Sequence, residues 1–244
     1  MTDTDYQLSI EDTLKTAWSK VSGSKGTFWA AILISFIIMI GAVIAQGILS
    51  SLMPAIKIVF QILANIINFL VTVGLIYIGI MRAKDLPISY EMLFRAFRKT
   101  LSLKIICVYI LQILIFMIPM LIMFAGVILF PILHASMDQA FAPPLISSII
   151  FIFGLLAMFY LAIRLILSMG YVLDRESGPL EAIKLSFMHT KSNFWNILFI
   201  TIIQSLFVVI SAIPLGIGLI WTIPFALINY GVIYSRLSAN HSKV

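Results

Sequence analysis

Apolar residues run along this chain in long unbroken stretches, and each pair of stretches is introduced by a short segment in which apolar positions recur at helical spacing. The apolar runs cover about 28–50, 56–80, 103–130, 145–172, 194–213 and 216–236. A helix of about 20 apolar residues crosses the hydrocarbon of a bilayer, so the pattern predicts six transmembrane helices. The third and fourth runs exceed one membrane thickness and are expected to tilt, kink or leave the bilayer. Pro119 removes a backbone donor inside the third run and predicts a kink there. In the first introductory segment Ile10, Leu14, Ala17, Trp18 and Val21 share a face, while Glu11, Lys15, Ser19 and Lys20 fall elsewhere. In the second, Tyr90, Leu93, Phe94, Phe97 and Leu101 share a face, with Arg95, Arg98 and Lys99 off it. Ser9 with Asp12 three residues on resembles a capping box, and Ser89 is a candidate cap. Gly178, Pro179 and Glu181 suit a helix start with proline in the first turn.

The introductory segments share one pattern: acidic, any, aliphatic, two of any, small, aromatic, any, basic. The copies are Asp12, Leu14, Ala17, Trp18, Lys20; Glu91, Leu93, Ala96, Phe97, Lys99; and Glu181, Ile183, Ser186, Phe187, His189. They divide a single membrane domain into three repeats, about 8–83, 87–174 and 178–238. The expected fold is an all-α integral membrane protein of three helical hairpins, each preceded by an amphipathic helix on the cytoplasmic side. Leu14, Trp18, Leu93, Phe97, Ile183 and Phe187 are the expected anchors if these helices lie in the membrane interface. The alternative is that they extend the spans into the cytoplasm and pack on one another. The outer turns are short, centred on Pro54, on Pro131 to Pro144 and on Pro214 to Gly218. All three hairpins enter from the same side. Parallel repeats of this kind occur in some transporters and in duplicated scaffolds.

Composition agrees with a lipid solvent. Hydrophobic residues make up 61% and charged residues 11% of the chain, against roughly 25% charged in soluble domains. Mean hydropathy is +1.11. Of sixteen Lys and Arg, all but Lys57 and Arg164 lie before the first run, between the second and third, between the fourth and fifth, after the sixth, or at the adjoining ends of those runs (Lys104 and Arg236). By the positive-inside rule both termini are cytoplasmic. The net charge of +6 then gathers on one face and attracts anionic lipid headgroups. No nucleic-acid reading motif is present. The first apolar run lacks the short core and cleavage site of a secretory signal and is expected to stay in the mature protein. The single cysteine, Cys107, reads as a small apolar filler.

Candidate chemistry is sparse. Arg164, after Tyr160 in the fourth run, is a charge at depth, costing about 2.5–3.5 kcal/mol on insertion scales unless a partner or wet cavity receives it. One reading is an anion or lipid-phosphate site. The other is a structural lock to helix-end carbonyls or to Asp174 or Glu176; in a continuous helix Asp174 lies about 15 Å along the axis. Gln61, Asn65, Asn68 and Thr72 form a polar stripe on the second run, able to line a water-filled path or to bond between helices for about 0.6–2 kcal/mol. Gln112 and Gln204 hold similar depths in the later repeats. His134 and Asp138 are too few for a specific cation site. His189 takes the place of lysine in the other copies, and Trp29 and Trp195 read as interfacial anchors. Nucleotide-binding, metalloprotease and hydrolase motifs are absent. No catalytic residue, metal site or cofactor is expected, and an enzyme is disfavoured.

From Tyr160 to Leu237 the chain resembles a known type. The residues are Tyr160 to Arg164, the stretch Asp174-Arg-Glu-Ser-Gly-Pro-Leu-Glu-Ala-Ile-Lys-Leu-Ser-Phe187, Lys191-Ser-Asn-Phe-Trp195, and Gly216, Gly218 and Pro224 in the last hairpin. Arg82-Ala-Lys-Asp-Leu-Pro-Ile-Ser-Tyr-Glu-Met-Leu-Phe94 fits the same type. It resembles the YciC-like bacterial inner-membrane proteins and is similar to the membrane domain that precedes the catalytic domain in some glycerophosphodiester phosphodiesterases. The resemblance implies a bacterial inner-membrane location and carries over no catalytic residues, since the phosphodiesterase domain and its metal-binding acidic residues lie outside the similarity. The expected function is a non-enzymatic scaffold or accessory protein in envelope lipid or membrane-protein homeostasis. The alternative is a transport component that moves a lipid or amphipathic peptide. Expected partners are membrane lipids, anionic ones at the cytoplasmic face, together with a protein partner or a second copy.

Overall fold

The computed structural model describes residues 7–136 and 142–240. Among them the chain is helical, without strands. The helices are α1 (Ile10–Ser19), α2 (Lys25–Leu52), α3 (Lys57–Ala83), α4 (Lys99–Ser136), α5 (Ala142–Leu165), α6 (Ser168–Arg175), α7 (Pro179–Thr190), α8 (Phe194–Ala212) and α9 (Leu219–Asn240), with 3-10 helices at Pro54–Ile56 and Tyr90–Phe97. Five segments are long and apolar enough to cross a membrane: Lys25–Leu52, Pro54–Ala83, Lys99–Leu129, Leu145–Arg175 and Phe194–Ala212. The helix α4 runs unbroken through Pro119. Pro131 lies within α4 rather than in an outer turn, and Pro143 and Pro144 lie in the first turn of α5. A missing N–H costs nothing in a first turn, because that donor has no helical acceptor. Asp138 lies outside the described residues, and so does the side chain of His134. Cys107 is not an interior filler, since it sits on the exposed face of α4.

The helix α9 is not among the five, and it packs backbone to backbone on α3. A Cβ on Gly79 would fall 2.3 Å from the Leu227 carbonyl oxygen, and one on Gly231 would fall 2.5 Å from that of Gly79. The backbones of α3 and α9 therefore touch, and only glycine permits it. With Gly79 beside Leu227, the start of α9 lies level with about residue 71 of α3, roughly 21 Å short of that helix's outer end at 1.5 Å per residue. Trp29 Nε1 at the start of α2 donates to the Ile220 carbonyl at 3.1 Å, and Lys25 Nζ stands 5.0 Å from the Trp221 ring. The third helical pair is thus the shortest. The last turns of α9 pass beyond the end of α3 into the basic layer, which accounts for Tyr234, Ser235, Arg236 and Ser238 in this helix.

The buried core lies toward that basic end. It joins Val73, Tyr77 and Ile80 of α3, Ile105 and Val108 of α4, Leu167 to Leu173, and Tyr234 of α9. Full burial of one such side chain is worth about 1.5–3 kcal/mol. The outer halves of the long helices are exposed, including Ile37 (67%), Ile58 (75%) and Leu121 (62%), as befits surfaces meant for lipid. Amides tie α2 to α3, α4 to α6, and α8 to α9. Gln46 Nε2 donates to Gln61 Oε1 at 2.7 Å, Gln112 Nε2 to Ser168 Oγ at 2.6 Å, and Asn229 Nδ2 to Gln204 Oε1 at 2.6 Å.

The three introductory segments dock in a cycle. Ala17 and Val21 pack against Phe225, Ile228 and Val232 of α9. Leu93 lies on α3, where a Cβ on Gly74 would fall 2.2 Å from its carbonyl oxygen. Ser186 of α7 donates to the Arg164 carbonyl of α5 at 2.7 Å. The second segment thus sits on α3 and the third on α5, each a helix that precedes it, while the first sits on α9 at the far end of the chain. The small position of the motif is the contact: Ala17, Ala96 and Ser186 are each fully buried. The aromatic beside it faces outward, with Trp18 52% and Phe97 37% exposed, while Phe187 is half-buried. The second segment is a 3-10 helix and not the expected α-helix, and Ser89 makes no side-chain cap bond. Ser9 Oγ accepts the Asp12 N–H at 3.4 Å, but Asp12 does not complete a capping box. Its carboxylate meets Arg236 at 2.7 Å, and Arg236 also donates to Thr13 and Thr16 at 2.9 Å each.

Candidate functional site

Arg164 occupies the last turn of α5, where the fourth run breaks at Ile166 and Leu167 before α6 begins. The expected continuous helix toward Asp174 is not formed. Hydroxyls of α7 serve the broken backbone: Ser186 Oγ accepts the Leu167 N–H at 3.2 Å while donating to the Arg164 carbonyl. Thr190 Oγ1 approaches the same carbonyl at 3.4 Å. Serine at the motif's small position therefore both fits the contact and satisfies the break.

The Arg164 side chain is only 8% exposed. Its guanidinium carbon lies 5.0 Å from the Phe187 ring and 5.8 Å from the Tyr160 ring. Its Nε is buried without a hydrogen-bond partner, and among the described residues it makes no ion pair. Two cation–π contacts offset part of the cost of a buried charge, each about 0.5–2 kcal/mol, but they leave the Nε–H donor unused. From Tyr160 an aromatic row leads outward through Phe194 at 5.4 Å and Trp195 at a further 5.4 Å. Trp195 is 66% exposed. The site is a cation held between rings, with a free donor and an aromatic approach, which suits an oxyanion attached to an apolar body.

The carboxylates considered as Arg164 partners are engaged elsewhere. Asp174 accepts from Lys84 Nζ at 2.6 Å and from Tyr234 OH at 2.8 Å. Glu176 lies 3.5 Å from Arg95, and its carbonyl accepts from Lys104. Arg175 donates to the Ser238 carbonyl at 2.7 Å. The end of α6 and its connection to α7 thus bind Lys84 just after α3, Arg95 of the second introductory segment, Lys104 of α4, and Tyr234 and Ser238 of α9. Sequence reasoning missed this junction, although three consecutive charged residues, Asp174, Arg175 and Glu176, at an element boundary were a signal. Nearby, Lys20 reaches Asp85 at 2.5 Å, and that contact holds the Asp85 carboxyl below the usual carboxylate range.

The polar stripe of α3 is not gathered into the Arg164 site. Gln61, Asn65 and Thr72 are exposed and Asn68 is half-buried. Gln61 is taken by Gln46, Thr72 Oγ1 donates to the Asn68 carbonyl at 2.9 Å, and Asn68 Oδ1 is buried without a partner. Of the expected anchors, Leu93 is fully buried and Leu14 and Ile183 are half-buried. His189, read as a generic interfacial base, is instead buried and its Nδ1 meets the Tyr171 hydroxyl.

Residues 136–234 match the sequence family described as the membrane domain of glycerophosphoryl diester phosphodiesterase. The matched stretch runs from the last residue of α4 to Tyr234 and includes Arg164, Tyr160, Phe187 and the junction at Asp174. No curated protein and no solved structure matches the chain.

Proposed function

We propose that this is a non-enzymatic membrane protein of the bacterial inner membrane that holds an anionic lipid headgroup at Arg164 and acts as a scaffold or accessory protein in envelope lipid or membrane-protein homeostasis. The buried guanidinium carries this reading. It lies between Tyr160 and Phe187, has a donor without an acceptor, and both carboxylates considered as its partners are occupied. In this reading six apolar helices form three pairs, α2–α3, α4–α5 and α8–α9, entering the bilayer from the cytoplasmic side. The third pair enters least deeply. The introductory segments form an interfacial layer with Trp18, Phe97 and Phe187 directed to the headgroup region.

The test is a lipid titration of melting temperature in detergent, comparing phosphatidylglycerol with phosphatidylcholine of the same chains. Binding to the folded state raises stability with ligand concentration over the dissociation constant. Wild type is expected to be stabilised by phosphatidylglycerol, and Arg164→Met to lose that stabilisation while keeping the lipid-free melting temperature or raising it. A lipid-free Arg164→Met that melts far below wild type would return the residue to a structural lock.

One observation favours a second reading, a transport component for a lipid or amphipathic peptide. The stripe residues Gln61, Asn65 and Thr72 are exposed on the part of α3 that the short third pair leaves uncovered. Movement of a labelled lipid between leaflets of liposomes containing the protein, lost on changing Asn65 and Thr72 to Leu and Val, would support it.

A further inference from the structure

A cleft of about 370 Å³ opens at the basic end, walled by Tyr77 of α3 and by Ser89, Glu91, Phe94, Arg95 and Arg98 of the second introductory segment. Its size falls in the range of roughly 300–1,000 Å³ typical of small-ligand pockets. The 3-10 geometry of this segment has three residues per turn, so Arg95 and Arg98 follow one another along the same wall. Arg95 is held by the Tyr77 ring, 4.6 Å from its guanidinium carbon. One of its terminal nitrogens reaches Glu176 only at 3.5 Å, and its Nε is buried without a hydrogen-bond partner. Arg98 and Glu91 are exposed, and among the described residues neither makes an ion pair. Two guanidinium groups and a carboxylate therefore line one cleft without satisfying each other.

A plain anion would answer the arginines and be repelled by Glu91. A ligand with both charges, set a few bonds apart, answers all three. Phe94, which lines the cleft, is 48% exposed, its ring lies 6.2 Å from that of exposed Phe97, and Tyr90 next to Glu91 in the chain is 48% exposed, apolar surface suited to acyl chains. We infer that this cleft binds the headgroup of a zwitterionic phospholipid bearing a primary ammonium, of the phosphatidylethanolamine type. The phosphodiester lies against Arg95 and Arg98, and the ammonium donates to Glu91. Charge-assisted bonds of this kind are among the stronger ones available to a headgroup. The assignment is independent of Arg164, which has no carboxylate beside it.

The experiment is a titration of purified protein in detergent with phosphatidylethanolamine, phosphatidylcholine and phosphatidylglycerol of identical chains, read by melting temperature and by native mass spectrometry. Choline has no N–H to offer Glu91 and serves as the close control. Wild type is expected to bind phosphatidylethanolamine about ten-fold more tightly than phosphatidylcholine, the scale of one charge-assisted bond. Glu91→Gln, which has no ion pair to lose, should abolish that preference, and Arg98→Met should weaken both lipids. The preference should persist in Arg164→Met, which separates this site from the other. Because Arg95 also packs on Tyr77, Arg98→Met carries the test if Arg95→Met fails to fold. Equal binding of the ethanolamine and choline lipids by wild type would overturn the inference, and so would a preference that survives Glu91→Gln. Displacement of bound lipid by soluble phosphoethanolamine at equal concentration would overturn the lipid assignment in favour of a soluble ligand.

Discussion

Replacing Asp174 with Asn removes the charge at the centre of the junction at the end of α6. The carboxylate side chain is 13% exposed and its partner Lys84 is 28% exposed, and Lys84 also stands 5.7 Å from the Tyr234 ring. Exposed pairs contribute about 0–1 kcal/mol, and breaking a fully buried one costs about 3–5 kcal/mol. This pair lies nearer the buried limit, and Tyr234 would lose a charged acceptor, worth about 1.5–3 kcal/mol. Asn keeps a carbonyl that can still accept from one donor, so the expected loss is about 2–3 kcal/mol. Denaturant unfolding in detergent, followed by tryptophan fluorescence, would measure it. A cycle with Lys84→Met should show coupling of about 1–2 kcal/mol, within the range for residues in one network. Asp85→Asn is the control, because Asp85 is 75% exposed in its contact with Lys20 and should change stability little. The Asp85 contact lowers that carboxyl's pKa, so its small contribution is present above the ordinary carboxylate pKa and lost as pH falls through the lowered value. An Asp174→Asn protein that unfolds together with Asp85→Asn would refute the junction.

Changing Trp18, Phe97 and Phe187 together to Ser should lower the melting temperature while leaving membrane insertion intact; unchanged stability would show that these aromatics do not anchor the basic layer. Tags at Met1 and Val244 should both be shielded from protease added to the periplasmic side, with a tag near Met137 open to it, and cleavage of either terminus would sink the orientation. In a Cys107→Ser background, Ser51→Cys should react with an impermeant maleimide added from outside. Leu215→Cys should not, because the Ile213 to Leu219 turn carries no charge and the start of α9 lies beside Trp29. Equal labelling would mean that the third pair crosses fully.

Much of the architecture was legible in the residues. Long apolar runs impose helices because lipid offers the backbone no partners. The small position recurs in every copy of the introductory motif, and it is the position at which each segment docks. What stayed hidden depends on contacts between distant residues. Nothing local to Gly79 or Gly231 announces that α3 and α9 touch, so the sixth run read as a full span. The second segment is 3-10, and Arg95, drawn off the apolar face of an α-helix, is half-buried against Tyr77. Arg164 was visible as a charge at depth. Its surroundings were not, because the occupants of Asp174 and Glu176 come from other elements.

The cyclic docking has a consequence for the order of synthesis. The first segment leaves the ribosome earliest, yet its seat on α9 is made about 200 residues later. At roughly 5–20 residues per second that is a wait of about 10–40 s. Over that interval Ala17 and Val21 lack the cover of Phe225, Ile228 and Val232, and Asp12, Thr13 and Thr16 lack Arg236. The second and third segments need no such wait, since α3 and α5 precede them. A nascent chain can therefore settle its middle repeats in order but cannot close until its last helix arrives. Any chain that stops before Leu219 leaves the side of α1 that meets α9 uncovered.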